Sequence, residues 1–278
     1  MPPNRTRRPH ATAIIINATI LICGCNGKPD IEPRQIQHTE AAPADANTRA
    51  EHVRRDPIAY LHQVAQNCAG LDNYTLTFTR HERRGLLQTM HGPEHIACRF
   101  RREPFGVHMK WLDEDIKYGE SVFVKGQAND KIRFVTRWWS PPLLPPPGIN
   151  KVDVSTPVFW GEAKRPVTDF GLGRLMERTL ASLKEAGDQV TVSYEGLLLL
   201  RQDGPTVHHI RLDYSVPYKT VPIQDLYIDS ATDLPAGTVL KYRSGRLDAA
   251  YYYADINADV TLTDNDFMLA AERQADDQ

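Results

Sequence analysis

The sequence predicts a mainly β domain with two helices, its strands antiparallel and covered on one face. Three observations predict it. Large apolar residues recur at every second position in many short stretches, as in Phe105, Val107, Met109 and Trp111 with Gly106, His108 and Lys110 between them. Two other stretches carry apolar residues at helical spacing. Turn dipeptides such as Asp203-Gly204 and Ser244-Gly245 separate the β-like runs. Period two with one polar face is the mark of an antiparallel sheet packed on one side.

The chain has 278 residues and is 41% hydrophobic, enough for one large domain or two small ones. Its formal net charge is -2, and removing the basic N-terminus makes the remainder more acidic, which argues against nucleic acid as a partner. No apolar run reaches the ~20 residues a membrane-spanning helix needs.

Residues 1–25 read as an export signal. Arg5, Arg7 and Arg8 form a basic start, and Ala11 to Ile22 an apolar stretch too short to cross a bilayer. Ile22-Cys23-Gly24-Cys25 resembles a lipobox, with Gly24 as the small residue before an acylated Cys25. Cys23 fits less well, because bulky Ile22 would precede the cut. The other reading is an ordinary secretory signal with incidental cysteines. Asn26, rather than aspartate, follows Cys25, which by resemblance to bacterial lipoproteins directs the anchor to the outer membrane. Residues 26–50 are polar, rich in Ala, Pro and acid, and predict a disordered tether. The folded domain is expected over residues 51–270, with a polar tail at 271–278.

The first helix is expected from Asp56-Pro57, a cap followed by a residue suited to the first turn. Ile58, Leu61, Val64, Ala65 and Cys68 form its apolar face, and Gly70 ends it. Alternation then predicts strands around Tyr74, Leu76 and Phe78, and around Ile96, Cys98 and Phe100. Further strands follow around Phe105 to Trp111, Val122 to Val124 and Ile132 to Val135. The second helix is expected over about 169–186, with Leu172, Leu175, Met176, Thr179 and Leu183 on one face. Strands return at Val190 to Tyr194, Leu197 to Leu200, His208 to Tyr214, Leu226 to Ile228, Val239 to Tyr242 and Tyr251 to Tyr253, about eleven in all. Cys68 and Cys98 both lie on apolar faces. In an oxidising compartment they are placed to pair as a disulfide, and two buried free thiols are the other reading.

Catalytic motifs are weak. His91-Gly92-Pro93-Glu94-His95 has the letters of a zinc-peptidase motif, but Gly92-Pro93 opposes the helix that chemistry requires. His208 and His209 are neighbours on a strand and point to opposite faces. Gly171-Leu172-Gly173 is only a fragment of a dinucleotide fingerprint. No metal, cofactor or enzymatic activity is implied. Arg80, Arg83, Arg84, Arg99, Arg101 and Arg102 place positive charge around one hairpin. They read as a solvated strand edge or as a surface for acidic head groups or carboxylates. Trp138 to Ile149, with five prolines, reads as a stiff loop folded over one end of the sheet, or as a rim that touches membrane, ligand or partner.

Several runs together carry a resemblance. Leu71-Asp72-Asn73-Tyr74-Thr75, Glu82-Arg83, Arg102 through Leu112, Gly119-Glu120, Val124-Lys125-Gly126 and Arg165 through Leu172 resemble domain-of-unknown-function family 1571. That family is similar to the LolA-like lipoprotein-carrier superfamily. Tyr227-Ile228-Asp229, Leu234-Pro235, Tyr253 through Asn257 and Phe267 fit the superfamily's C-terminal pattern. The resemblance implies a curved, unclosed antiparallel half-barrel with helices over its concave face, non-catalytic and taking acyl chains. It also implies a latching role for Arg102, although Glu103 separates it from Pro104.

Combined, these readings give a periplasm-facing, membrane-anchored lipoprotein that binds a lipid or acyl chain. Tyr74, Leu76, Phe78, Ile96, Phe100, Val107, Met109 and Trp111 share one strand face and would line the pocket. The same residues could instead form a filled core. The alternative function is an envelope sensor or scaffold that binds another envelope protein through its surface.

Overall fold

A computed structural model describes residues 44–137, 148–202, 204–215 and 220–276. The expected export signal with Cys25, most of the expected tether, and Trp138 to Pro147 lie outside the described residues. Two helices, α1 (Ala44–Arg55) and α2 (Pro57–Ala69), precede six strands: β1 (Asn73–Arg84), β2 (Thr89–Arg101), β3 (Gly106–Trp111), β4 (Tyr118–Val124), β5 (Lys131–Thr136) and β6 (Asn150–Asp153). The one-turn helix α3 (Thr156–Phe159) and the long helix α4 (Leu172–Ala186) follow. Strands β7 (Val190–Leu199), β8 (Thr206–Tyr214), β9 (Ile223–Asp229), β10 (Pro235–Lys241) and β11 (Leu247–Asn257) complete the sheet, and α5 (Ala270–Asp276) ends the described chain.

All eleven strands form one antiparallel sheet in the order β6-β5-β4-β3-β2-β1-β11-β10-β9-β8-β7. The sheet curls without closing, with β6 and β7 as its two edges. This is the half-barrel that the sequence leads one to expect. The count of eleven is reached by a different division. The runs expected at Val190 to Tyr194 and Leu197 to Leu200 are one strand, β7. Their alternation breaks at a bulge between Tyr194 and Gly196, where Gly196 takes a left-handed φ of 117°. The eleventh strand is β6, whose four residues are too short to show a period.

One face of the sheet, called inner here, carries the main core. Tyr74, Leu76, Phe78, Ile96, Cys98, Phe100, Val107 and Trp111 meet Ile210, Leu212, Leu226 and Ile228 on it, under α2 and α4. Helix α2 begins as expected, with the Asp56 carboxylate accepting from Ala59 N at 2.9 Å and Pro57 in the first turn. Its buried side chains are Tyr60, Leu61, Val64 and Cys68. Ile58, expected on the apolar face, is exposed instead. Tyr60 takes the inward position because its hydroxyl has a polar partner there, donating to Asp233 at 2.6 Å. Helix α4 buries Leu172, Leu175, Met176, Thr179 and Leu183, as the spacing predicts. Its start is fixed by the sheet, since the Tyr74 hydroxyl accepts from Leu172 N at 3.0 Å. Gly171 precedes it with φ +123°, and a Cβ there would stand 2.8 Å from the Phe100 ring.

Two expected boundaries are corrected. Helix α1 starts at Ala44, inside the stretch read as tether. Ala50 and Val53 are buried one turn apart, a seam too narrow to register as a period. Residues 270–276 form α5 rather than a polar tail. Glu272 bridges Arg133 at 2.7 Å and accepts from Leu269 N at 2.8 Å, while Leu269 and Phe267 pack on Val122 and Val124 on the outer face.

Cys68 and Cys98 are separate, buried free thiols, so no bond joins them in this structure. Cys98 Sγ instead points along its own strand to the Ile96 carbonyl at 3.6 Å. Burial pushes the Cys68 thiol up to about 12 and raises the Cys98 thiol as well. A thiol reagent at mildly alkaline pH is therefore expected to label neither until the domain unfolds. Fast labelling of both in the native protein would contradict their burial.

Candidate functional site

The inner face is unequally covered. Helices α2 and α4 cover Ile210, Leu212, Leu226, Ile228 and the first residues of β1. A cavity of about 880 Å³ lies between the sheet, residues 157–171 and α4, walled by β1 to β6 on one side and by residues of β9, β10 and β11 on the other. That is large enough for a lipid-sized ligand. Its apolar wall includes Phe78, Ile96, Met109, Trp111, Ile132 and Phe134. These side chains lie on one face because antiparallel pairing aligns Ile96 with Trp111, Met109 with Ser121, and Ser121 with Phe134.

Of the eight residues expected to bind ligand, Phe78, Ile96, Met109 and Trp111 line this cavity. Tyr74, Leu76, Phe100 and Val107 share the face but belong to the filled core. Tyr74 stacks on Phe100 at 4.6 Å between ring centroids, and Phe100 meets Phe105 edge-on at 5.7 Å. Phe78, Ile96 and Trp111 are also members of that core, so they form the boundary between it and the cavity.

The cavity also has a charged wall. The alternation of Tyr74, Leu76 and Phe78 continues along β1 as Arg80 and Glu82, which line the cavity, and Glu94, two residues before Ile96 on β2, is buried beside them. Arg80 donates to Glu94 at 2.6 Å, Arg84 pairs with the other Glu94 oxygen, and the Trp111 indole N–H donates to Glu94 at 2.9 Å. Tyr251 donates to Glu82, which lies 3.5 Å from Arg80. Burial works against both charges of the central pair. The paired arginines nonetheless hold the Glu94 carboxyl below its usual range, and Glu94 and Glu82 keep Arg80 above its own. Lys164 bridges Asp248 at 2.6 Å nearby. At the α4 side, Arg165 and Arg178 share Asp169 at 3.7 and 4.0 Å. Burial, and then Arg165, push Arg178 below its ordinary value.

The arginines are not a solvated edge. β1 and β2 lie in the middle of the sheet. Arg80 and Arg84 face inward, whereas Arg101 reaches Asp264 at 2.8 Å and lies over the Phe267 ring at 4.6 Å on the outer face. Arg102 donates to the carbonyls of Leu71 at 2.7 Å and Cys68 at 3.1 Å, the end of α2. Arg102→Ala is expected to cost about 1 kcal/mol and to speed amide exchange in the last turn of α2. Unchanged exchange there would show that the arginine does not hold the helix.

His91 to His95 lie within β2, not on a helix. His208 and His209 point to opposite faces, His208 to Tyr194 at 3.0 Å and His209 to Asp225 at 2.8 Å. Among the described residues no three His, Cys, Asp or Glu side chains are placed to hold a metal. Arg80, Glu82, Lys164, Asp169 and Asp248 of the cavity wall are engaged in ion pairs. What the arrangement offers is an apolar volume with a fixed polar wall.

Sequence reasoning missed that wall. Arg80, Glu82 and Glu94 break the apolar alternation in type while keeping it in phase, and phase was the available signal.

No curated protein matches the chain. Solved structures give distant similarity. MucB matches at 14% identity and a TM-score of 0.47, over 78% of this chain and 64% of MucB, so the chain spans less than two thirds of that protein. The Mycobacterium tuberculosis lipoprotein LppX matches at 12% identity and a TM-score of 0.44, over 75% of this chain and 100% of LppX. A putative outer membrane lipoprotein-sorting protein domain from Vibrio parahaemolyticus matches at 11% identity and a TM-score of 0.34, over 75% and 94%. The sequence model of one family matches residues 71–274, from just before β1 into α5. By that match the chain belongs to the DUF1571 family, proteins of unknown function.

Proposed function

We propose that this protein is a non-catalytic lipoprotein of the bacterial envelope that holds a lipid or acyl chain in the open half of its sheet. The observation that carries the reading is the cavity of about 880 Å³ walled by Phe78, Ile96, Met109, Trp111, Ile132 and Phe134. An open recess that exposes large apolar side chains is favourably covered by an apolar ligand. The charged wall at Arg80, Glu82 and Lys164 suits an amphipathic ligand, whose tail and head group meet surfaces of different polarity. Acylation of Cys25 supplies the anchor in this reading, with the domain on the periplasmic side of the outer membrane. Several acyl chains, at about 0.8 kcal/mol per buried methylene, make such an anchor stable.

The test is native mass spectrometry with organic extraction, on the chain carrying Cys23→Ser and Cys25→Ser so that no covalent acyl group confuses the result. Purified without detergent, it is expected to carry a lipid-sized mass, reduced by Trp111→Ala. A clean apo mass, with no uptake of a fluorescent fatty acid at micromolar concentration, would remove the lipid reading. It would favour the sensor or scaffold that binds another envelope protein.

A further inference from the structure

Among the described residues eight large hydrophobic side chains are strongly exposed: Ile58, Leu86, Leu87, Leu112, Ile149, Val158, Phe159 and Trp160. Leu86 and Leu87 lie with Val158, Phe159 and Trp160 around the β1–β2 turn, and Leu112 and Ile149 lie in loops on the same side of the meander. In an antiparallel meander the turns alternate between ends. Leu86 and Leu87 form the turn between β1 and β2, Leu112 follows β3, and Ile149 precedes β6. By the pairing of their strands these three places lie toward the same end, with the β1–β2 hairpin extending several residues beyond the other two. Val158, Phe159 and Trp160 reach it from α3. The chain after them lies on the β1–β2 turn so closely that a Cβ on Gly161 would stand 2.7 Å from Gly85 Cα. Arg84 fixes the approach by donating to the Glu162 carbonyl at 2.6 Å. The turns at the opposite end, around residues 102–105, 125–130 and 230–234, hold none of the eight.

We propose that this end is a membrane-contacting tip, which inserts Leu86, Leu87, Phe159 and Trp160 into the surface of a lipid bilayer. Three features select a bilayer as the occupant. The side chains protrude from separate turns, with Leu86 99% and Phe159 87% exposed, and so form projections rather than a groove for a partner segment. A fluid apolar layer accepts such projections at any spacing, whereas a protein partner would need a matched pocket for each. Trp160, only half exposed, is the residue type that settles at the lipid–water boundary. The tip is also continuous with the cavity, since Trp160 belongs to both. The last feature rests on the lipid-binding reading above and deepens it, by giving the ligand a route between bilayer and cavity. The connections at this end carry charge of both signs, with Arg246 in the β10–β11 turn and Glu114 and Asp115 in the β3–β4 loop. Insertion is therefore carried by apolar area and is expected to change little with salt.

The experiment places an environment-sensitive fluorophore on Leu87→Cys in the full chain carrying Cys23→Ser and Cys25→Ser, where Cys68 and Cys98 are buried. A second chain carries it on Gln127→Cys at the opposite end. Vesicles of phosphatidylcholine and phosphatidylglycerol, some with spin-labelled acyl chains, are added to each. The readout is local, so attachment through the N-terminus does not imitate it. The expected result is a blue shift and quenching at position 87 and neither at 127. Leu86→Asp with Phe159→Asp is expected to reduce the signal by about tenfold or more. No quenching at 87, or equal quenching at both ends, would overturn the proposal. Extractable lipid is measured in the same preparation. Tip quenching without bound lipid would remove the cavity reading alone, and bound lipid without tip quenching would remove the tip alone.

Discussion

Glu94→Gln is expected to destabilise the domain by about 3–5 kcal/mol, the cost typical of removing one partner from a buried ion pair. Glu94 is 2% exposed and accepts from Arg80, Arg84 and the Trp111 indole at once. The amide keeps the shape but loses the charge, and it offers a donor where two guanidinium groups also donate. Arg80 then remains buried with Glu82 as its nearest acid, at 3.5 Å. Urea unfolding of wild type and variant measures the difference. A change below about 1 kcal/mol, the value of an exposed pair, would mean that water reaches the network and that the wall is not fixed. The same carboxylate sets a pH dependence. Its folded pKa lies below the ordinary value, so its contribution is complete above the unfolded pKa of about 4.3 and is lost as pH falls through the folded value. Wild type is therefore expected to lose more stability below pH ~4 than Glu94→Gln does.

Ser121→Trp is expected to weaken ligand binding by about tenfold or more, while leaving the fold nearly as stable as before. Ser121 lies on β4, paired between Met109 and Phe134, and its side chain faces the cavity. A large side chain in a packed core usually costs about 1–3 kcal/mol. Here it enters open volume and gains contacts with apolar neighbours. Lipid content after extraction and the thermal midpoint are measured together. Loss of lipid with the midpoint held supports the site. Retained lipid in a stable variant would place the ligand elsewhere.

The fold was legible because its main signals are local. Alternation at Tyr74 to Phe78, Ile96 to Phe100 and Phe105 to Trp111, and the face of α4, follow from period and composition. Elements without a period were not legible. β6 has four residues, α1 buries only Ala50 and Val53 among its described side chains, and α5 is held by Glu272 and its contact with Arg133. The Arg80–Glu94 wall was hidden for a different reason. Charged residues on strands usually face solvent, and nothing local distinguishes an arginine turned inward toward a distant carboxylate. The division of the inner face into filled and open halves depends on where α2 and α4 lie, which no strand pattern reports. Ile58 and Tyr60 show the same limit, since the partner that draws Tyr60 inward, Asp233, is remote in sequence.

The central claim is that the open half of the inner face is where an acyl chain sits. A photoreactive fatty acid, cross-linked to the full chain and mapped by peptide mass spectrometry, tests it most directly. The account predicts cross-links on β3 to β5, around Met109, Trp111, Ser121 and Phe134, and on the facing segment from Pro157 to Ser182. Cross-links concentrated under α2, around Tyr60 and Ile210, would contradict it, as would labelling that spreads evenly over the surface.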